Sequence, residues 1–104
     1  MPDLIAQGVH QEHRWRRSLP LGEKVVLGRS GGSWVVPWDD QVSRQHAELF
    51  WTGTHLEVVQ LSTASNPLFH QGRAVQKICM TSNDHFVIGS TCLLYTSDAA
   101  DEGL

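Results

Sequence analysis

Residues 43 to 46, with the sequence SRQH, place a serine, an arginine and a histidine within four positions. A serine near a histidine can act as a nucleophile with its general base, and Asp39 or Asp40 can then orient the histidine. A serine beside an arginine can instead bind a phosphate, because the hydroxyl and the guanidinium both donate hydrogen bonds. The elements that surround these residues decide between the two kinds of site.

The composition of the chain indicates one small globular domain. It has 104 residues, of which 40% are hydrophobic and 18% charged, with a net charge of −3 and a pI of about 6.0. This acidic balance argues against nucleic-acid binding, which favours a basic face. The runs VVL and FVI are too short to cross a bilayer, and MPDLIAQG lacks the basic and apolar segments of a signal peptide. Cys79 and Cys92 are too few for a disulfide framework, so we expect reduced cysteines in a cytoplasmic protein.

Short stretches of alternating apolar residues run along the chain and are separated by the turn signals TGT, SNP, QGR and TSND. The stretches are DLIAQG, HRWRRSL, EKVVLGR, WVVPW, HAELFW, THLEVVQL, LFHQG, AVQKICM, HFVIGS and TCLLYT. None of them carries a long helical stripe. The pattern predicts an all-β fold, an antiparallel β-sandwich of about ten or eleven short strands, with the basic HRWRRSL at an edge.

Function on such a sandwich lies in the loops at the strand ends. Suggestive residues occur in GRSGGS at 28–33, in PWDDQVSRQH at 37–46 and in STASNP at 62–67. With the closing HFVIGSTCL, these loops resemble the forkhead-associated (FHA) domain, a phosphothreonine-binding module with an FHA/SMAD-like fold. The family pattern is Gly-Arg, Ser-x-x-His, an Asn and a later Gly, which here are Gly28-Arg29, Ser43 to His46, Asn66 and Gly72. Each motif is common by itself, and their order and spacing from about Leu4 to about Leu93 carry the resemblance.

The resemblance implies a role for each residue of the loops. Arg29 and Ser43 would bind the phosphate of a phosphothreonine, and Arg44 would add charge or contact the peptide nearby. Asn66 would hydrogen-bond the peptide backbone, and Ser65 would contribute a further loop contact. The residue types suit these roles, because a guanidinium holds two phosphate oxygens at once and an amide side chain both donates and accepts.

Three residues of the pattern would be structural, and they complete the implied module. Gly28 would allow a close turn, His46 would brace the loop that presents Ser43, and Gly72 belongs to the same structural motif. The implied partner is a threonine-phosphorylated protein or peptide made by an upstream Ser/Thr kinase. No cofactor or metal is needed, and neither nucleic acid nor membrane is expected as a partner.

The sequence departs from the family pattern at two places. The common Asn-Gly-Thr is Asn66-Pro67-Leu68 here, and the later Asn-Gly is Gln71-Gly72. Neither change touches the expected phosphate ligands. Both alter loop shape, and Pro67 pushes Asn66 towards an extended backbone. The preference for residues that flank the phosphothreonine therefore cannot be transferred from other members.

Other functions remain as alternatives to phosphothreonine binding. A serine hydrolase would need a strained Gly-x-Ser-x-Gly turn, which the chain lacks, so we expect recognition without catalysis. A metal site would need converging histidines, and the pair His10 and His13 in HQEH lies in a strand or loop where it should not converge. The main alternative is an FHA-like sandwich that binds a protein partner independently of phosphate.

The last residues do not continue the strand pattern. We expect the FHA domain at 1–96 and a non-native-looking or disordered tail at 97–104, SDAADEGL. The segment CLLYTSDAADE also resembles translated sequencing-adapter sequence, so we expect that the natural sequence has been cut near Cys92 and that the natural chain continues. The loops are most similar to those of bacterial FHA domains fused to signalling domains, which implies a sensor module of a larger protein.

Overall fold

The structure is a computed structural model that describes residues 2–96, and the predicted tail at 97–104 lies outside the described residues. Eleven strands and no helix occur within 2–96. The strands are β1 (Asp3–Gln7), β2 (Arg14–Ser18), β3 (Lys24–Gly28), β4 (Trp34–Val35), β5 (Ala47–Trp51), β6 (Leu56–Gln60), β7 (Leu68–His70), β8 (Arg73–Val75), β9 (Lys77–Met80), β10 (His85–Ile88) and β11 (Thr91–Thr96).

The strands of the described part form two sheets, a six-stranded one in the order β2-β1-β11-β10-β7-β8 and a five-stranded one in the order β4-β3-β5-β6-β9. The all-β sandwich is confirmed, and so is the position of the basic strand β2 at an edge. One pairing departs from the antiparallel prediction, because β4 runs parallel to β3. Residues 2–96 contain no helix with the length and apolar character that crossing a membrane requires.

The core lies between the two sheets and follows from the alternation in the sequence. Every second residue of a strand points inward, so Leu4 and Ala6 of β1 belong to the same buried cluster as Leu49 and Val58 of the opposite sheet. Burying such side chains stabilises the fold by roughly 25 cal/mol per Å² of apolar surface. Phe86 of β10 is the largest side chain of the described core that is completely buried.

The stretch AVQKICM is not the single strand that we predicted. It divides at Gln76 into β8, which pairs with β7 in one sheet, and β9, which pairs with β6 in the other. The physical reason is in the spacing of its apolar residues. Val75 and Ile78 are three positions apart, so a single strand would point them to opposite faces. By changing sheets at Gln76, the chain turns both towards the core.

Strand register brings the loops that carry the family motif to one end of the five-stranded sheet. Leu27 of β3 pairs with Ala47 of β5, and Ala47 pairs with Gln60 of β6. Because neighbouring strands run antiparallel, the chain leaves β3, enters β5 and leaves β6 at the same end of the sheet. We call the resulting connections the arginine loop (29–33), the serine loop (37–46) and the asparagine loop (61–67).

Gly28 ends β3 at a point where the serine loop passes very close. A Cβ at this position would lie 1.9 Å from the carbonyl oxygen of Arg44. No backbone can accept that distance, so any other residue would force the two loops apart.

We therefore expect Gly28→Ala to lower the free energy of unfolding by about 1–3 kcal/mol, the usual cost of overpacking. Urea unfolding followed by tryptophan fluorescence measures it. Gly31→Ala is the control, because its Cβ would lie 3.1 Å from Gln45 Cγ and 3.3 Å from the Arg44 carbonyl oxygen, distances that a shift of a few tenths of an ångström relieves. Equal midpoints for the two variants would show that the loops are not held as closely as described.

Candidate functional site

Backbone hydrogen bonds tie the arginine loop to the serine loop. The N–H of Arg29 donates to the carbonyl of Ser43 at 2.9 Å, and the N–H of Gly31 donates to the carbonyl of Arg44 at 2.9 Å. These bonds continue the ladder between β3 and β5 beyond the strands. They fix Arg29 and Arg44 on neighbouring segments, which is where two cationic side chains can act on one ligand.

Two side-chain hydrogen bonds connect the serine loop to the arginine loop and to the asparagine loop. The amide of Gln45 donates to the carbonyl of Gly31 at 2.7 Å, and the hydroxyl of Thr63 donates to the carbonyl of Gln45 at 2.6 Å. Gln45 thus bridges the two other loops. Gln45 occupies a variable position of the Ser-x-x-His motif, yet its side chain and its carbonyl join the three loops.

His46 is the most deeply placed residue of the site, with 0% of its surface exposed. Its Nδ1 accepts a hydrogen bond from the N–H of Ser43 at 3.0 Å. Its Nε2 lies 2.8 Å from the carbonyl oxygen of Asn66, so Nε2 carries the proton and donates it. One neutral imidazole therefore connects the backbone of Ser43 to the backbone of Asn66.

Burial lowers the pKa of His46, because the charged imidazolium loses its hydration. The hydrogen bond to Asn66 and the charge of Asp39 act in the opposite direction with smaller effect. Protonation would also place a second N–H against the amide of Ser43. The geometry and the direction of the shift both favour the neutral form.

The hydroxyl of Ser43 is held in one orientation. Its oxygen accepts a hydrogen bond from the N–H of Ser65 at 2.8 Å. Within residues 2–96 it makes no other hydrogen bond, so its own proton is available to an acceptor in the pocket. Ser65 contributes its backbone N–H to this arrangement, a role that its residue type does not reveal.

The side chain of Asn66 is partly used by the fold and partly free. Its Nδ2 donates to the carbonyl of Gln41 at 2.8 Å. The second N–H and the Oδ1 atom have no partner in the described part of the chain. The side chain is therefore held by one bond while one donor and one acceptor remain, as reading a peptide backbone requires.

These groups surround one open pocket of about 540 Å³, which we call the loop pocket. All five predicted binding residues line it, and so do six further residues. The predicted ones are Arg29, Ser43, Arg44, Ser65 and Asn66, and the others are Gly31, Asp40, Gln41, Val42, Gln45 and Thr63. The six could have been found only as neighbours in the three loops, because their residue types carry no signal of their own.

The electrostatics of the loop pocket favour an anion. Among the described residues, neither Arg29 nor Arg44 forms an ion pair. Asp40 also lines the pocket without pairing with either arginine. Two guanidinium groups without counter-ions, together with a hydroxyl donor, can bind an oxyanion by charge-assisted hydrogen bonds.

Gly72 lies away from the loop pocket, in the two-residue turn between β7 and β8. Gln71 and Gly72 have φ angles of 55° and 80°. Positive φ at both central positions is typical of a type I′ hairpin turn, which suits the twist of the two strands. The position of Gly72 is thus structural, although Gln71 occupies a conformation that asparagine adopts more readily.

The serine-nucleophile arrangement does not form. Both ring nitrogens of His46 are engaged by backbone groups, and its contact with Ser43 is to the amide and not to Oγ. Asp39 is 4% exposed and bonds elsewhere. Its carboxylate accepts hydrogen bonds from the N–H of Gln41, the N–H of Ser90 and the hydroxyl of Thr91. Asp39 therefore anchors the serine loop to the turn between β10 and β11, a structural role that the sequence did not indicate.

The histidine pair in HQEH comes closer together than we expected. The rings of His10 and His13 meet edge to face with centroids 5.1 Å apart, because the N–H of His13 donates to the carbonyl of His10 in a tight turn. The part of the chain that the structure describes contains no group of three or more side chains suited to a metal ion.

Comparison with known proteins places this architecture in a family. The family model of the FHA domain matches residues 25–89, which is more than half of the chain. The chain therefore belongs to the FHA domain family, and the resemblance seen in its loops is confirmed. No match was found among curated proteins.

Solved structures share the fold across nearly the whole chain. The FHA domain of the CT664 protein from Chlamydia trachomatis has a TM-score of 0.78 at 19% identity, with 93% of this chain and 99% of that one covered. A Synechocystis protein reaches a TM-score of 0.80 at 20% identity, covering 94% and 99%. A structure from an analysis of phosphothreonine-dependent FHA domain interactions has a TM-score of 0.76 at 20% identity, covering 93% and 96%. At these identities the likeness shows the fold alone.

The lowered pKa of His46 predicts how stability depends on pH. Because the folded pKa lies below the ordinary value of about 6.5, the contribution of His46 is fully present above that value. It is lost as the pH falls below 6.5 towards the folded pKa, since the unfolded chain protonates first. Urea unfolding between pH 7.5 and 5 measures the loss.

His46→Asn separates this effect from other titrations, because its amide oxygen can accept from Ser43 and does not titrate. We expect the variant to be less stable by about 1–3 kcal/mol at pH 7.5, since the partly buried carbonyl of Asn66 loses its donor. We also expect its stability to fall less steeply on acidification. Parallel pH curves for the two proteins would contradict the neutral, buried imidazole.

Proposed function

We propose that this FHA domain binds threonine-phosphorylated proteins and acts in signal transduction downstream of a Ser/Thr kinase, in the cytoplasm of a bacterial cell. The observation that carries the proposal is the convergence of Arg29, Arg44 and the Ser43 hydroxyl on one pocket without counter-ions among the described residues. FHA domains are protein-interaction modules, and one structure of the same fold comes from a study of phosphothreonine-dependent interactions.

The chemistry of a phosphothreonine fits this pocket. The phosphate carries about −1.5 to −2 charges near neutral pH and has three strong acceptor oxygens. A guanidinium can hold two oxygens with parallel N–H bonds, and the hydroxyl of Ser43 can donate to the third. The open shape of the pocket admits a side chain that projects from an extended peptide.

The rest of the peptide is read through its backbone. Asn66 keeps one N–H and its Oδ1 atom free, which matches the carbonyl and the amide of a peptide bond. Backbone reading does not depend on side-chain identity, so the asparagine would add affinity for any phosphopeptide. The affinity of such a shallow site is expected to be about micromolar.

Arg29 is expected to be the most costly binding residue to replace. Each charge-assisted hydrogen bond to phosphate contributes about 1.5–3 kcal/mol, so Arg29→Ala should remove most measurable affinity for a phosphothreonine peptide library. Arg29→Lys should also bind poorly, because a point-like ammonium cannot reproduce the planar fork. Fluorescence anisotropy with labelled phosphorylated peptides measures both variants.

Arg73→Ala provides a matched control, because Arg73 is an exposed arginine of β8 that does not line the loop pocket. It should bind as the wild type does. The proposal fails if wild type, Arg29→Ala and Arg29→Lys all bind the phosphorylated library alike.

A second candidate function is partner binding through the outer face of the six-stranded sheet, independently of phosphate. Strand register aligns Phe69, Val87 and Cys92 side by side on that face. Phe69 is 39% exposed, so the three side chains present apolar surface that a partner could cover. Burial raises the pKa of the Cys92 thiol, so this cysteine contributes apolar surface and not a thiolate.

The two functions predict different responses to phosphate. If the loop pocket acts, phosphorylated peptides bind and their unphosphorylated counterparts do not, and Phe69→Ser leaves the difference unchanged. If the sheet face acts, both sets of peptides bind equally and Phe69→Ser weakens both. Side-by-side titrations of matched peptide pairs distinguish these outcomes.

A further inference from the structure

A second pocket lies beside the loop pocket, between the turn that joins β1 to β2 and the serine loop. Its volume is about 300 Å³, and we call it the turn pocket. Val9 and His10 contribute one wall and Trp38 another. Asp40 lines the turn pocket and the loop pocket alike, so a single extended ligand can reach both. Phosphate binding uses none of the features that distinguish the turn pocket.

A flat aromatic surface forms part of the turn pocket. The ring of His13 stacks on that of Trp38, with centroids 5.3 Å apart and planes inclined by 3°. The Nε1–H of Trp38 donates to the hydroxyl of Thr91 at 3.0 Å, and that hydroxyl donates to Asp39 at 2.7 Å. Gly8 packs so closely that a Cβ there would lie 2.5 Å from Trp38 Nε1. The stacked pair is therefore held in place before any ligand binds.

The charge of the turn pocket is opposite to that of the arginines next to it. The Asp39 carboxylate is occupied by three hydrogen-bond donors of the fold. Asp40 is exposed, and in the described chain its carboxylate has neither an ion-pair nor a hydrogen-bond partner. No lysine or arginine is among the described residues that line the turn pocket. An electronegative pocket thus adjoins the pocket of Arg29 and Arg44.

We propose that the turn pocket binds the side chain of a basic residue, with arginine preferred, that flanks the phosphothreonine in the same peptide. This inference rests on the proposed function and names the class of sequence that the site selects. Asp40 would supply the counter-charge, and the stacked rings of His13 and Trp38 would pack against the planar guanidinium. Asp40 is then a specificity-determining residue, because it repels an acidic residue at the same peptide position.

The charge pattern of the surface identifies this occupant over others. A phosphothreonine followed or preceded by an arginine presents a negative and a positive group on one strand. The loop pocket presents the positive charges of Arg29 and Arg44, and the adjoining turn pocket presents the negative charge of Asp40. An apolar residue would leave the carboxylate of Asp40 partly desolvated without a partner, which is unfavourable.

Selection from a degenerate phosphothreonine peptide library tests the inference. The wild type should enrich arginine at one flanking position. Two phosphopeptides that differ there, with arginine or glutamine, are then titrated by fluorescence anisotropy. We expect the arginine peptide to bind about fivefold more tightly, the size of a favourable, partly exposed ion pair with aromatic stacking.

Variants of Asp40 assign the preference to this pocket. In Asp40→Asn the ratio of the two dissociation constants should fall to about one, and in Asp40→Lys a glutamate peptide should become the preferred ligand. Glu12→Gln is the matched control, because Glu12 is an exposed acid on the same turn that does not line the pocket. It removes the same charge and should leave the ratio unchanged.

The outcomes separate the subsite from the function on which it rests. Phosphate-dependent binding without enrichment of a basic residue overturns the subsite alone. An equal change of both affinities in Asp40→Asn also overturns it, because Asp40 would then act on the phosphate and not on the flanking residue. Equal binding of phosphorylated and unphosphorylated libraries overturns the proposed function and the subsite together.

Discussion

The site depends on one buried imidazole that is bonded to two loops at once. His46 accepts from the amide of Ser43 and donates to the carbonyl of Asn66. Neither loop has a strand partner of its own at these positions, so a buried polar group on each would otherwise lack a hydrogen bond. A charged histidine could not make both bonds, and a smaller side chain could not span the gap. His46, whose residue type suits a general base, thus acts as a brace, and both bonds require the neutral imidazole.

The chain concentrates positive charge where its overall composition does not suggest it. The net charge is −3, yet Arg29 and Arg44 meet at one pocket without counter-ions in the described chain. Holding two guanidinium groups near each other costs electrostatic energy, and the loops are fixed there by backbone bonds of 2.9 Å. A bound anion would offset that cost.

Much of this could be predicted from the sequence, for a definite physical reason. Alternation along β1, β3, β5, β6, β10 and β11 reports which side chains face the core, and it identified the sandwich. The loops that line the loop pocket could be singled out because their residue types, such as Arg29 and Ser43, are tied to a particular chemistry. The break at Gln76 was missed, because a strand that changes sheets has the composition of one continuous strand.

The roles of Asp39 and Gln45 were also beyond sequence reasoning. Both residues act through partners more than ten positions away, Ser90 and Gly31, and nothing local marks such a pairing. The contact between His10 and His13 was missed for a related reason, since it arises from a turn and not from a periodic element. Sequence pattern reports the local backbone and the direction of side chains, whereas these contacts depend on how distant loops meet.

The bonds that join the three loops also have a consequence for the kinetics of binding. A loop that must order itself around a ligand loses conformational entropy at that step, and its association rate falls accordingly. Here the carbonyl of Ser43, the side chain of Gln45 and the ring of His46 have already fixed the loops. That entropy is lost once, during folding, and is not lost again each time a ligand binds. A ligand of the loop pocket would therefore meet loops that need no rearrangement, and its lifetime there would depend on the strength of its contacts.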